Sequence, residues 1–308
     1  MVAISQLSFP RHSAKTQRFT LGAPRTFTIS PDGQRILFVR SHSGTDRIGR
    51  LYQYDIHSDG EELLVDPLNL LVDGTEELSA EERARRERTR EAAAGITSYS
   101  TDEKCERITF VLSGRLYLFD IPRKKLTELA SAGVVIDPQL APDGSAVAYI
   151  TPDGELHLSC DGKVEVLCVP EHEDIFYGTA EFVASEEMSR HHGFWWCSDS
   201  KSLFVERFDQ SPVRKVWISD PANPDNPPRE VRYPFVGSPN VITSLFLLTI
   251  GDKSRKEIHW NSEHEYLCSV NPGDGKVPPL ILTMSRNQRR ADISAIDPDT
   301  AQARVIAE

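Results

Sequence analysis

The stretch Ala141-Pro142-Asp143-Gly144 followed by Ala146-Val147-Ala148-Tyr149-Ile150 decides how the chain is read. Pro-Asp-Gly is a turn signal, since proline presets φ and glycine tolerates positive φ. The five apolar residues after it have the length of a buried strand rather than of a helix. The polar-bounded runs Glu155–Leu158 and Val164–Leu167 complete one unit of turn and short strands. The order recurs upstream. Thr28-Ile29-Ser30-Pro31-Asp32-Gly33 reads as a turn leading into Arg35–Arg40, then Arg50–Ile56 and Glu62–Val65. Ser100-Thr101-Asp102 leads into Arg107–Leu112, Arg115–Asp120 and Lys125–Leu129. Downstream, Ser198-Asp199-Ser200-Lys201 leads into Ser202–Arg207 and Val213–Ile218, and strand-like runs continue at 244–250, 266–270, 279–284 and 291–296.

Asp102 and Asp143 stand one period apart, and units of roughly 40–45 residues with four short strands each are the signature of β-propeller blades. The expected fold is therefore all-β, a β-propeller over residues 19–308 preceded by an N-terminal arm, 1–18. At about 45 residues per blade the length fills six to seven four-stranded blades.

Two intervals exceed the period. Asp32 to Asp102 is about 25 residues too long, and Asp143 to Asp199 about a dozen. The first excess, about 70–94, holds Glu76–Arg90, which reads as a short helix capped by Thr75 or Ser79. Its acids crowd the first turn and Arg83, Arg85, Arg86, Arg88 and Arg90 fill the end, as the helix dipole favours. It is too polar for a core helix, so it is either a solvated, salt-bridged arm or an arginine-bearing arm over a binding site. The second excess, about 171–193, contains Glu186-Glu187. Neighbouring carboxylates repel and invite a cation. A primary ammonium suits them, because charge-assisted hydrogen bonds are the strong ones. The plainer reading of the pair is a solvated helix turn.

Composition narrows the function. The chain of 308 residues is 39% hydrophobic and 26% charged with a net charge of -11, enough to bury a core and unfavourable for nucleic acid or an anionic membrane as main partner. No run of eighteen apolar residues and no signal-peptide core occur, so no span is expected and a cytoplasmic location is the default. The five cysteines, Cys105, Cys160, Cys168, Cys197 and Cys268, are odd in number, widely spaced and without a Cys-x-x-Cys, which predicts reduced thiols rather than disulfides or zinc. His191, His192, His259 and His264 read as surface residues, not as metal or triad ligands. No cofactor and no metal are expected.

Several strings together carry a resemblance. They are Glu81–Arg90, Gly95-Ile96-Thr97-Ser98-Tyr99, Leu112-Ser113-Gly114-Arg115-Leu116, Ala180–Val183 with Glu186-Glu187-Met188, and Gly193-Phe194-Trp195-Trp196. Phe208–Val213, Asp220–Pro224, Arg232-Tyr233-Pro234, His264–Leu267 and Ser285–Arg289 follow in order. The chain resembles the N-terminal propeller of the dipeptidyl peptidase IV family of serine peptidases, bacterial type. The resemblance implies an eight-bladed propeller capping an α/β-hydrolase domain, and release of N-terminal dipeptides with proline or alanine second. It implies that Glu186 and Glu187 hold the substrate ammonium. It also implies a propeller arginine on the substrate carbonyl: Arg90, with Arg86 and Arg88 as rivals. No Gly-x-Ser-x-Gly nucleophile elbow is present, so the sequence reads as a truncated or split member lacking the catalytic Ser-Asp-His domain and inactive alone. Expected partners are a peptide N-terminus and a separate α/β-hydrolase portion, with a homodimer left open. A non-catalytic peptide- or protein-binding scaffold, or a remnant without activity, stands as the alternative.

Overall fold

The computed structural model describes residues 7–71, 76 and 93–308. The chain divides into two compact units, Met1–Tyr149 with Ser159–Val164, and Ile150–Leu158 with Glu165–Glu308.

The first unit opens with helix α1, Phe9–Lys15, begun by a proline in its first turn. The expected N-terminal arm therefore holds a helix. The first sheet runs β1 (Arg25–Ile29), β2 (Arg35–Ser41), β3 (Ile48–Asp55), β4 (Gly60–Val65), with β5 (Ala94–Gly95) parallel to β3. The expected turn at 28–33 is shorter than predicted, because Thr28 and Ile29 pair with Leu37 and Ile36. Ser30 Oγ donates to Asp32 at 2.5 Å and Gly33, at φ 69°, returns its N–H to Ser30 O. The second sheet is β6 (Ser100–Thr101), β7 (Arg107–Leu112), β8 (Arg115–Asp120), β9 (Lys125–Glu128). Asp102 takes the N–H groups of Glu106 and Arg107 at 2.8 and 3.1 Å, the same side-chain-to-backbone device that closes Asx turns. Leu37, Val39 and Leu51 of the first sheet pack with Ile108, Phe110 and Leu112 of the second into one apolar cluster. The third sheet is β10 (Ile136–Leu140), β11 (Ala146–Ile150), β12 (Leu156–Cys160), β13 (Lys163–Cys168).

In the second unit, β14 (Ile175–Tyr177), helix α2 (Phe182–Glu187) and β15 (Phe194–Trp196) precede the long strand β16 (Ser202–Asp209). The hairpin β17 (Lys215–Ile218) and β18 (Arg229–Arg232) follows, then β19 (Ile242–Thr249) and β20 (Arg255–Ile258). The sheet order is β14-β16-β19-β20, with β15 also on β16. Here the structure corrects an expectation. The run at 213–218 does not continue the sheet of β16; β17 pairs only with β18, and β16 instead meets β19 along its whole length, from Ser202↔Thr249 to Asp209↔Ile242. The apolar face of β16 and β19 is what selects that register. The last sheet is β21 (Tyr266–Asn271), β22 (Leu280–Met284), β23 (Ala291–Ile296), β24 (Ala303–Ala307). Phe204, Leu245, Leu267 and Ile281 form the core between these last two sheets.

The described residues thus hold five sheets of four or five strands and one two-stranded ribbon, where division of length by period gave six to seven. Among the described residues no helix is long and apolar enough to cross a membrane. All five cysteines are free thiols.

Candidate functional site

The glutamate pair sits on an excursion from the middle of a strand. β14 pairs with the far end of β16, Tyr177 opposite Arg207, and β15 with its near half, Phe194 opposite Val205. Glu206 lies between. Its carbonyl accepts from Gly178 N at 2.9 Å and its N–H donates to Gly193 O at 2.7 Å. Gly178 and Gly193 form an isolated antiparallel bridge. Residues 179–192 therefore leave the sheet through a two-glycine neck. A Cβ on Gly193 would lie 2.5 Å from the carbonyl carbon of Gly178, closer than backbone atoms approach, and Gly178 has φ 68°. Only glycine meets both demands.

Helix α2 occupies this loop. It is too short to persist on its own propensity, and contacts at both ends hold it. Glu181 is the N-cap, its carboxylate accepting from Val183 N at 2.7 Å and Ala184 N at 2.6 Å. At the other end Ser189 turns the chain at φ 55° and Arg190 N returns to Ala184 O at 3.0 Å. Ala184 and Ser185 face inward and Glu186 and Glu187 are exposed. Phe182 packs edge-on against Tyr233, ring centroids 5.4 Å apart, and Tyr233 against Phe235.

Arg190 ties the loop to the sheets. Its guanidinium makes a two-pronged ion pair with Glu206, Nη1 to Oε2 and Nη2 to Oε1. It also donates to Leu267 O at 3.2 Å and His192 O at 3.0 Å, and lies over the Trp195 ring. Arg190 is 7% exposed, Glu206 0% and Glu181 5%, so this is an interior charge cluster with two carboxylates and one guanidinium. Full burial pushes the Glu206 carboxyl above the usual carboxylate range against the pull of Arg190. Burial likewise raises Glu181, opposed by its two backbone N–H donors and by Arg190. For Arg190, burial works against the charge, but Glu206 outweighs it and raises the guanidinium further.

Sequence reasoning singled out Glu186 and Glu187, which the structure places exposed at the end of α2, and gave no role to Glu181, Arg190 and Glu206. The signal was present in Leu203-Phe204-Val205-Glu206: an acid inside an apolar strand is almost never buried without a partner. Arg90, Arg86 and Arg88, and the helix expected over 76–90, lie outside the described residues apart from Glu76, which accepts from Gly95 N at 2.8 Å. Of the histidines, His191, His192 and His259 are exposed, as expected. His264 is the exception, 2% exposed, with Nδ1 3.2 Å from Thr283 Oγ1 and 3.5 Å from Asp292. It belongs to the packing of the last sheet. Among the described residues no group of three or more His, Cys, Asp and Glu could hold a metal.

The sequence profile of the family described as "Dipeptidyl peptidase IV (DPP IV) N-terminal region" matches residues 97–308. The chain belongs to this dipeptidyl peptidase IV N-terminal family. Among curated relatives, the probable dipeptidyl-aminopeptidase B of Aspergillus oryzae is 27% identical over 169 residues, 49% of this chain and 18% of that protein. Its namesake from Ajellomyces capsulatus is 29% identical over 234 residues, 63% of this chain and 25% of that protein. The chain thus spans a quarter or less of these relatives. The crystal structure of Porphyromonas gingivalis dipeptidyl peptidase 4 superposes with a TM-score of 0.73 at 18% identity, covering 97% of this chain and 42% of that one. A putative dipeptidyl aminopeptidase IV from Bacteroides ovatus gives 0.61 at 12% identity, covering 95% of this chain and 39% of that one. These likenesses carry the fold: the sheets are blades of the β-propeller type found in dipeptidyl peptidase IV proteins.

Proposed function

We propose that this dipeptidyl peptidase IV-type chain is the substrate-gripping propeller portion of a serine exopeptidase that releases N-terminal dipeptides of the Xaa-Pro and Xaa-Ala kind. Glu186 and Glu187 bind the free ammonium of the peptide. An arginine of the 76–90 segment, Arg90 or its rival Arg86, holds a backbone carbonyl. The Ser-Asp-His chemistry resides in an α/β-hydrolase portion outside these residues, since acyl transfer needs a nucleophile, a base and an oxyanion hole.

One observation carries the reading. Glu186 and Glu187 occupy the last two positions of α2, with no basic residue in that turn. Helix C-termini present carbonyl oxygens and favour cations, so two adjacent acids there break a local electrostatic rule. Such violations concentrate at functional sites. A primary ammonium has three donors for these acceptors, and its arrival relieves the repulsion. The names of the relatives, dipeptidyl-aminopeptidases, agree with capture of a peptide amino end.

The test has two parts. The chain should bind a peptide beginning Gly-Pro and lose most of that affinity when the peptide is N-acetylated. Supplied with a separately expressed hydrolase portion of the family, it should release the dipeptide from a Gly-Pro reporter. Binding indifferent to acetylation would favour a general scaffold over the exopeptidase reading, and absence of dipeptide release with the hydrolase present would overturn the enzymatic assignment.

A further inference from the structure

The second and third sheets meet in an apolar seam that is not filled throughout. Leu140 and Val147 pack with Leu116, and Leu118 and Leu129 lie against them. Four of these side chains, Leu118, Leu129, Leu140 and Val147, also line a cavity of about 400 Å³ whose lining residues all belong to the first unit. That volume lies within the span of small-molecule sites, about 300–1,000 Å³. The second sheet supplies its wall by strand alternation, which puts Leu118 and Asp120 of β8 on one face and Lys125 and Thr127 of β9 on the same face. The register sets Arg107 opposite Asp120 and Asp120 opposite Lys125. A row of base, acid and base therefore crosses three strands.

The acid in that row does not answer the lysine. The Asp120 carboxylate accepts from Arg123, through Nη1 at 3.0 Å and the backbone N–H at 2.9 Å, and lies 3.8 Å from Arg107 Nε. Arg107 is committed further, its Nη1 donating to Gly144 O at 2.7 Å. The other lining acid, Asp161, acts on Cys160, whose thiol is pushed above its ordinary value by burial and then by that carboxylate. Lys125 is exposed at the cavity and enters no ion pair among the described residues. Three cations and two acids thus line a cavity in a chain that has 35 basic and 46 acidic residues. The local balance runs against the whole.

We infer that this cavity binds a small organic anion, a carboxylate carried on an apolar body. The Lys125 ammonium has three donors and no competing carboxylate, and charge-assisted hydrogen bonds to a carboxylate are the strong ones. Arg123 stands at the same opening with its side chain 71% exposed. The leucines and Val147 take the apolar body. Cys160 has no covalent part, because a thiol held protonated is a poor nucleophile. The site is opposite in sign to the proposed glutamate grip: there two acids call for an ammonium, here an ammonium calls for an acid.

The experiment titrates the chain calorimetrically with hexanoate, with 1-hexanol and with acetate. Hexanoate should bind about tenfold or more tightly than either of the others, since each lacks one half of what the cavity recognises. Lys125→Gln should weaken hexanoate about fivefold or more. Arg115→Gln removes an exposed cation of the same sheet that does not line the cavity, and should leave the affinity within about twofold. Ser145→Trp puts an indole at an exposed lining position and should abolish binding. All three changes are made at exposed side chains, so the variants should melt close to the parent. Hexanol binding as tightly as hexanoate, or K125Q keeping the parent's affinity, would overturn the anion assignment. Hexanoate that fails to bind, or that binds S145W undiminished, would overturn the site itself. None of these outcomes bears on the glutamate reading.

Discussion

Two excursions leave the sheet built on β16, and they are held in opposite ways. Residues 179–192 depart and return through Gly178 and Gly193 and are bolted inside by Arg190 and Glu206, both buried. The ribbon β17–β18 pairs only with itself and exposes Trp217 at 63% and Ile218 at 50%. Its base is fixed by Arg232, whose Nε and Nη2 donate to Asp174 at 2.8 and 2.6 Å. The first carries charge on its surface and charge in its anchor; the second carries apolar surface on a tie whose side chains are 12% and 13% exposed. Both ties are forked arginine–carboxylate pairs, and the Arg190–Glu206 pair is the more completely desolvated of the two.

The contrast can be broken first at its anchors. Glu206→Ala leaves Arg190 buried and unpaired, which should destabilise the second unit by about 3–5 kcal/mol. Arg232→Ala at the ribbon should cost about 1–2 kcal/mol. Urea titration of the two variants measures the gap, and equal losses would erase the distinction. The neck comes next. Gly193→Ala forces a Cβ against Gly178 and should cost about 2 kcal/mol or more, read as a lower melting temperature together with faster amide exchange across 179–192.

A pH series sharpens the electrostatic side. The Glu181 carboxyl is raised from 4.5 by burial. A carboxyl raised on folding supports the fold fully below its unfolded value, and that support fades as pH climbs through the folded value. The stability advantage of the parent over Glu181→Gln should therefore shrink as the pH is taken from about 4 to neutrality; an advantage that grows with pH would contradict the buried-acid picture. The smallest effect belongs to the ribbon tip, where Trp217→Ala should change stability by no more than about 0.5 kcal/mol in a monomeric chain.

How much of this could be read from residues alone follows from strand length and sequence distance. β7, β8, β11 and β23 end where their apolar runs end. The leading strands β1, β6, β10 and β14 escaped. β6 spans only Ser100–Thr101, and β10 contains Pro138 and an Asp137 at φ 49°, residues that spell a turn to any local rule. Pairing across distance escaped too: β17 looked like the neighbour of β16 because it comes next in the chain, whereas the partner β19 lies beyond the ribbon. At the site, an overlong interval between turns gave away the glutamate excursion. The buried trio beneath it was hidden because Arg190 reads as one more polar loop residue and its contact with Glu206 exists only after the strand is broken in two.

The divided strand has a further consequence for variation. Because Glu206 closes the hydrogen-bond ladder below the neck, whatever sits between Gly178 and Gly193 adds nothing to the register of the blade. Residues can be inserted or deleted there without sliding β14 or β15 along β16. The segment is interchangeable only so long as it keeps Arg190, without which Glu206 would be left buried and unpaired.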